Sequence, residues 1–158
     1  MLADIQKLTD ILAIDADGRF SPEDRAAAIE LALFRYSSDR PRAACETVEF
    51  DGSAFLSMPD GWQKDFSRVL EIKTECGKRV PFETVPSLSG EKILLSGDVH
   101  TGDVLTVWFT QRHVATETED TVPPADRDAV ATWAAAFLKP SLSSKRERRP
   151  FRRFPART

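Results

Sequence analysis

Apolar residues recur every three or four positions near both ends of the chain and every second position between them. The pattern predicts helices flanking a β region. Leu2, Ile5, Leu8 and Leu12 stand at helical spacing with polar residues between them, predicting a short helix over 2–13. Asp15-Ala16-Asp17-Gly18 is a turn sequence. A second helix starts at Ser21, which can cap it. Pro22 suits the first helical position, and Glu23 and Asp24 favour the positive end of the helix dipole. Its expected apolar face is Ala26, Ile29, Leu33 and Tyr36, flanked by Leu31 and Phe34. Ser37-Ser38-Asp39-Arg40-Pro41 ends it, because the residue before a proline is pushed out of the α region.

From about 44 to 115 the period is 2. Thr47–Phe50, Ala54–Met58, Phe66–Thr74, Val80–Val85, Lys92–Leu95 and Val104–Val114 read as strands. They are separated by turns at Asp51-Gly52, Pro59-Asp60-Gly61, Cys76-Gly77, Ser89-Gly90 and Ser96-Gly97. Pro81 marks an edge. In the last strand Val104, Thr106, Trp108 and Thr110 share one face and Leu105, Val107 and Phe109 the other. Apolar residues on both faces predict a central strand. Short strands at close spacing predict an antiparallel sheet folded as a small sandwich or partial barrel. Residues 116–124 form an acidic, threonine-rich linker. A last helix begins near Ala125 or Asp126, shows Val130, Trp133, Ala134 and Phe137, and is expected to end by Lys139 because Pro140 follows. Residues 140–158 have no periodicity and read as a disordered tail. The fold class is therefore α+β, with a single domain over 1–139 and a basic Ser/Arg/Pro-rich tail over 140–158. A chain of 158 residues suffices for one domain with a real core.

Charge changes this picture at one end. The net charge is −3, but residues 145–158 carry seven basic residues against the single acid Glu147, a net +6. The remainder is therefore at −9, an acidic body with a basic tail. No apolar run approaches the ~20 residues needed to span a bilayer. Asp4, Lys7 and Asp10 interrupt the first twelve residues, unlike a signal peptide, so a cytoplasmic site of synthesis and no membrane partner are expected. Cys45 and Cys76 form no CxxC pair. In a reducing compartment they are expected as free thiols, half-buried on strands.

Candidate chemistry is sparse. Asp15-x-Asp17-Gly18, with Asp24, partly matches a calcium-binding loop between helices. However, Ala13 stands at the first ligand position and Asp24 at the twelfth, where glutamate binds better; a capped helix–turn–helix fits more simply. His100 and His113 have no Cys or carboxylate partner at metal-ligand spacing. There is no GxSxG, no phosphate-binding glycine loop and no GxGxxG. Nothing supplies an enzyme with a residue set, so no enzyme, metal or cofactor is expected. The tail is the strongest signal outside the core. Arg148, Arg149, Phe151, Arg152 and Arg153 could contact phosphates and stack on bases, dock on an acidic protein surface, or be solvated.

Four segments together resemble the head–tail adaptor (connector) proteins of tailed bacteriophages. Tyr36-Ser37-Ser38-Asp39-Arg40-Pro41-Arg42 is similar to a tyrosine–serine–x–x–Arg-Pro segment that follows two helices and opens a β region. Pro59, Gly61, Trp62, Phe66, Ser67, Val69 and Ile72 resemble a Leu-Pro…Trp…Phe-Ser-x-Val pattern. Gly102 to Thr110 with His113 is similar to a glycine, strand and histidine. Val122-Pro123, Asp126 and Asp128 to Leu138 resemble the start of a C-terminal helix. The likeness covers about residues 1–138. At the end the chain departs, because Pro140 and an arginine-rich tail stand where the family's helix continues. The resemblance implies a structural protein of the virion neck, assembled in the host bacterial cytoplasm. Its partners would be the portal protein, a tail or stopper protein and further copies of itself in a ring of twelvefold symmetry, with DNA passing through the channel unbound. Tyr36, Asp39, Arg40 and Trp62 are the expected organising and partner-binding residues, joined by the tail residues Arg148, Arg149, Phe151, Arg152 and Arg153. The rival reading is a nucleic-acid-binding module acting through the tail.

Overall fold

The computed structural model describes residues 2–14, 20–87 and 90–146, with side chains as far as Lys139. Helices α1 (Leu2–Ala13) and α2 (Pro22–Asp39) precede six strands: β1 (Arg42–Glu49), β2 (Phe55–Leu56), β3 (Val69–Thr74), β4 (Phe82–Ser87), β5 (Gly90–Leu95) and β6 (Val104–Gln111). A 3-10 turn over Pro124–Asp126 then leads into α3 (Arg127–Arg146). The chain divides into two compact units. One holds residues up to Tyr36 and from Val114 onward, and the other runs from Ser37 to His113. The architecture is α+β, as the change of period predicts.

The helical unit is built around α1, α2 and α3. The start of α2 follows its capping signal. The Asp24 N–H donates to Ser21 Oγ (3.1 Å), and the Ser21 N–H donates to Asp24 Oδ2 (3.2 Å). Arg25 ties α2 to α1 through Asp10 at 2.9 Å. The helix stops at Asp39, one residue before Arg40, which precedes Pro41.

The buried face keeps Ile29, Leu33 and Tyr36 of the expected one, Leu33 being partly buried against the core. Ala28, Ile29, Ala32 and Tyr36 are buried, whereas Ala26, Leu31 and Phe34 are exposed. On α1, Ile5, Thr9 and Ala13 are buried and Leu12 is exposed. Thr9 tolerates burial because its hydroxyl donates to the Ile5 carbonyl at 2.7 Å. The core continues with Ala131, Ala134, Ala135, Val130 and Leu138 of α3. Small side chains therefore share this interface with Ile29, Leu33 and Tyr36.

The expectation that the last helix ends by Lys139 is corrected: α3 runs through Pro140 to Arg146. A proline inside a helix removes one ladder donor and costs about 3 kcal/mol. That is a local cost, and the backbone resumes helical geometry beyond it. The rest of the tail lies outside the described residues.

The β unit contains two three-stranded antiparallel sheets, ordered β1-β6-β3 and β2-β5-β4. β6 is central in the first, as its two apolar faces predict. Cys45 faces Trp108 and Val48 faces Leu105 in the β1–β6 register. The β3–β6 ladder shifts register between Val69 and Glu71. One core joins both sheets: Ile72, Leu105, Val107 and Phe109 from the first, Leu56 and Ile93 from the second, with Phe50 and Val80. Gly102, at φ 91°, makes the turn into β6, and its N–H donates to the Phe50 carbonyl at 2.8 Å. Two expectations are corrected here. The 54–58 strand shrinks to Phe55–Leu56, because Pro59 turns the chain away. The cysteines are both exposed: Cys45 lies on the outer face of β1, and Cys76 in the turn after β3.

Candidate functional site

The segments that carry the sequence resemblance meet one another in the fold. In the β unit they converge where β1 begins and β6 ends. The His113 N–H donates to Ser37 Oγ at 2.9 Å, closing the entry of the unit on its exit. Ser37 is fully buried, so its hydroxyl serves this bond rather than solvent. The Arg42 guanidinium donates to Gln111 Oε1 across the first β1–β6 pair. Gln111 in turn donates from Nε2 to the Gly61 carbonyl at 2.8 Å. A Cβ at position 61 would meet that amide and displace the end of the Gln111 side chain.

The Pro59–Ser67 loop is held by the same strand. The Arg112 N–H donates to Gln63 Oε1 at 2.9 Å, and the Ser67 N–H donates to the Gln63 carbonyl at 2.8 Å. Arg68 and Thr110 exchange bonds: the Arg68 N–H donates to Thr110 Oγ1 at 2.8 Å, and the Thr110 N–H to the Arg68 carbonyl at 3.0 Å. The Trp62 ring packs on Phe109 at 6.2 Å, tilted by 41°, while its Nε1–H reaches Glu91 at 3.3 Å. The Arg112 guanidinium lies over the Phe66 ring, 5.1 Å from its centre.

In the helical unit the resemblance again joins two distant segments. Tyr36 is buried, and its hydroxyl donates to Asp126 Oδ2 at 2.6 Å. Asp126 sits in the turn before α3, with its N–H donating to the Pro123 carbonyl at 2.9 Å. Arg127 bonds Asp120 at 2.7 Å and lies 3.6 Å from Asp4, so that turn is fastened to α1 as well.

The expected site residues separate accordingly. Tyr36 and Trp62 organise one unit each. Asp39 and Arg40 are exposed where α2 ends. Arg148, Arg149, Phe151, Arg152 and Arg153 lie outside the described residues, as do Asp15 and Asp17 of the calcium-like loop. Asp24, the last ligand of that loop, is committed to the Ser21 cap. Sequence reasoning missed Ser37, Gln63 and Gln111. Their only signal was a neutral polar residue flanking each apolar motif.

A shallow groove at the far end of β3 is lined by Thr74, Cys76, Lys78, Asp98, His100 and Asp103. The Thr74 hydroxyl lies 3.0 Å from Cys76 Sγ and, with the Lys78 N–H, holds the thiol below its ordinary pKa. His100 lies 3.8 Å from Asp98 and 3.9 Å from Asp103. Among the described residues, no group of three His, Cys, Asp or Glu is placed to hold a metal ion. No helix among them is long and apolar enough to cross a membrane. No family model matches this sequence, and no curated protein matches it.

Proposed function

We propose that this chain is a structural assembly protein of a tailed bacteriophage, a head–tail adaptor. It would bind the portal and link the capsid to a tail or stopper protein around the DNA channel. The observation that carries the reading is the mutual bonding of the resembling segments. Ser37 and Arg42 of the first segment bond His113 and Gln111 at the end of the third. Gly61, Trp62 and Gln63 of the second meet Gln111, Phe109 and Arg112. Tyr36 meets Asp126 of the fourth. Bonds that tie these segments together, some through the neighbouring Gln63, Gln111 and Arg112, help specify one fold.

Charge agrees with the role. A body at −9 repels phosphate, so a ring of such bodies lets DNA slide without sticking. The +6 tail gives an acidic face of the portal something to hold, and copies in a ring multiply that weak contact. In this reading the protein is assembled in the host cytoplasm and ends in the virion neck.

The test is the mass of the protein mixed with the portal ring of the same phage, measured by light scattering. Co-elution near one copy per portal subunit is the expected result. Absence of co-elution at every salt concentration, together with steeply salt-dependent DNA binding that disappears when 147–158 is removed, would replace the adaptor by the nucleic-acid module.

A further inference from the structure

Two three-stranded sheets have four edges, and three of them are closed to strand addition. β2 is two residues long. β4 is interrupted by Pro86, which removes one N–H from its outer side. β3 is covered by its own turn: the Val80 N–H donates to the Ile72 carbonyl and the Thr74 N–H to the Lys78 carbonyl, both at 2.9 Å. β1 is eight residues long, contains no proline and pairs only with β6.

The ladder fixes which of its groups face outward. The Phe50 N–H bonds Asp103, so the even-numbered residues of β1 bond toward β6. The Thr110 N–H bonds Arg68, so the even residues of β6 bond away from β1, which gives the same phase. The N–H and C=O groups of Ala43, Cys45, Thr47 and Glu49 therefore line the free edge. Within the β unit, among its described residues, none of them has a backbone partner. Native proteins normally block such an edge with a charge, a bulge or a proline. Of the four outward residues Ala43, Cys45 and Thr47 are small and uncharged, and the one charge, Glu49, stands at the end of the strand.

We infer that β1 is a strand-pairing edge and that a second copy of this chain occupies it, antiparallel, about a two-fold axis at Cys45. A two-fold axis normal to the sheet keeps like faces together, so each residue opposes one of the same parity. Centred on Cys45, the register sets Ala43 against Thr47 of the other copy and Cys45 against itself. Arg42 then lies diagonal to Glu46 of the other copy, within reach of long side chains. Moving the centre to Glu46 would oppose two glutamates. Moving it to Ala44 would carry Pro41 from the end of the ladder, opposite Glu49, to a place opposite Thr47, where the lost donor falls inside the pairing. The pairing closes at two copies and stands apart from the adaptor reading.

Two measurements test it. Light scattering across the micromolar to millimolar range is expected to show a concentration-dependent rise to two chains. Thr47→Pro is expected to abolish the rise with the far-ultraviolet circular dichroism unchanged, since its N–H faces the free side and no β1–β6 bond is lost. Thr47→Pro that still joins the portal ring would separate this pairing from the proposed function.

The second measurement needs no change on the edge backbone. Opposed Cα atoms in a hydrogen-bonded pair are about 5.5 Å apart, inside the ~4.4–6.8 Å that a disulfide bridges. Diamide, which takes up the two thiol hydrogens, is expected to couple Cys76→Ser chains through Cys45 roughly tenfold or more faster than Cys45→Ser chains through Cys76, because pairing raises the local thiol concentration. A mass of one chain at every concentration, or coupling through Cys76 as fast as through Cys45, overturns the inference.

Discussion

The helical unit and the β unit solve the same burial problem with different residues. Half of the helical core is alanine: Ala13, Ala28, Ala32, Ala115, Ala131, Ala134 and Ala135 pack among Ile5, Phe20, Ile29, Tyr36, Val122, Val130 and Leu138. The β core is mostly large: Phe50, Leu56, Ile72, Ile93, Leu105, Val107 and Phe109. Helices approach closely only over small side chains, so large residues one turn away are left outside. Leu31 is 54% exposed and Phe34 47%. Strands alternate strictly, and their spacing leaves room that only large side chains fill. Large residues therefore fill the core of the β unit, and alanines share that of the helical unit.

The sharpest way to break the comparison is to empty one core and crowd the other. Phe109→Ala removes a ring packed under Trp62 and is expected to destabilise the β unit by about 3–5 kcal/mol. Urea unfolding read by tryptophan fluorescence checks it. In the helical unit the damaging change runs the other way: Ala131→Leu is expected to cost about 1–3 kcal/mol by overpacking. A rise in melting temperature with that variant would mean the alanine interface is loose.

Tyr36→Phe keeps the ring and leaves the Asp126 carboxylate without its donor. About 1.5 kcal/mol is expected to be lost, as for hydrogen bonds to charged groups, measured by thermal unfolding. Glu71 offers a pH test in the β unit. Its hydrogen bond from Lys73, at 2.7 Å, and the neighbouring Arg79 hold its carboxyl below the ordinary value. A lowered folded-state pKa contributes stability above the unfolded value, and that stability is lost as pH falls through the folded one. Glu71→Gln is thus expected to shallow the acid side of the stability profile and leave neutral pH nearly unchanged, since the group is exposed and screened. Smallest of all, Leu31→Ser on the solvent face of α2 is expected to move stability by no more than about 0.5 kcal/mol. A larger loss would show that the face is covered.

Much of this fold was legible in the chain. The switch of period located the β region, Ser21-Pro22 located the start of α2, and the double apolar face of Val104–Phe109 placed β6 at the centre of its sheet. On α2 the buried face was legible at Ile29, Leu33 and Tyr36 but not at Ala28 and Ala32, which carry no hydrophobic weight beside Leu31 and Phe34. Nor was the helix through Pro140, since proline penalises a helix by a fixed amount that neighbouring residues can outweigh. Of the candidate residues, Tyr36 and Trp62 announced themselves as aromatics within motifs. Ser37, Gln63 and Gln111 did not, because a neutral polar side chain becomes informative only once its distant partner is known.

The bond between Ser37 and His113 has a consequence for the order in which the chain can be completed. The β unit is an insertion: α2 lies before it and α3 after it. During synthesis α1 and α2 emerge first and must wait for α3, while β1 waits almost as long for β6. Because the insertion begins and ends within one hydrogen bond, its own folding draws its two ends together. The entropy of closing that long excursion is then spent inside the β unit, and α3 starts from an anchor point beside the end of α2 instead of from the end of a free coil. Vectorial synthesis would therefore finish the insertion first and the helical unit last.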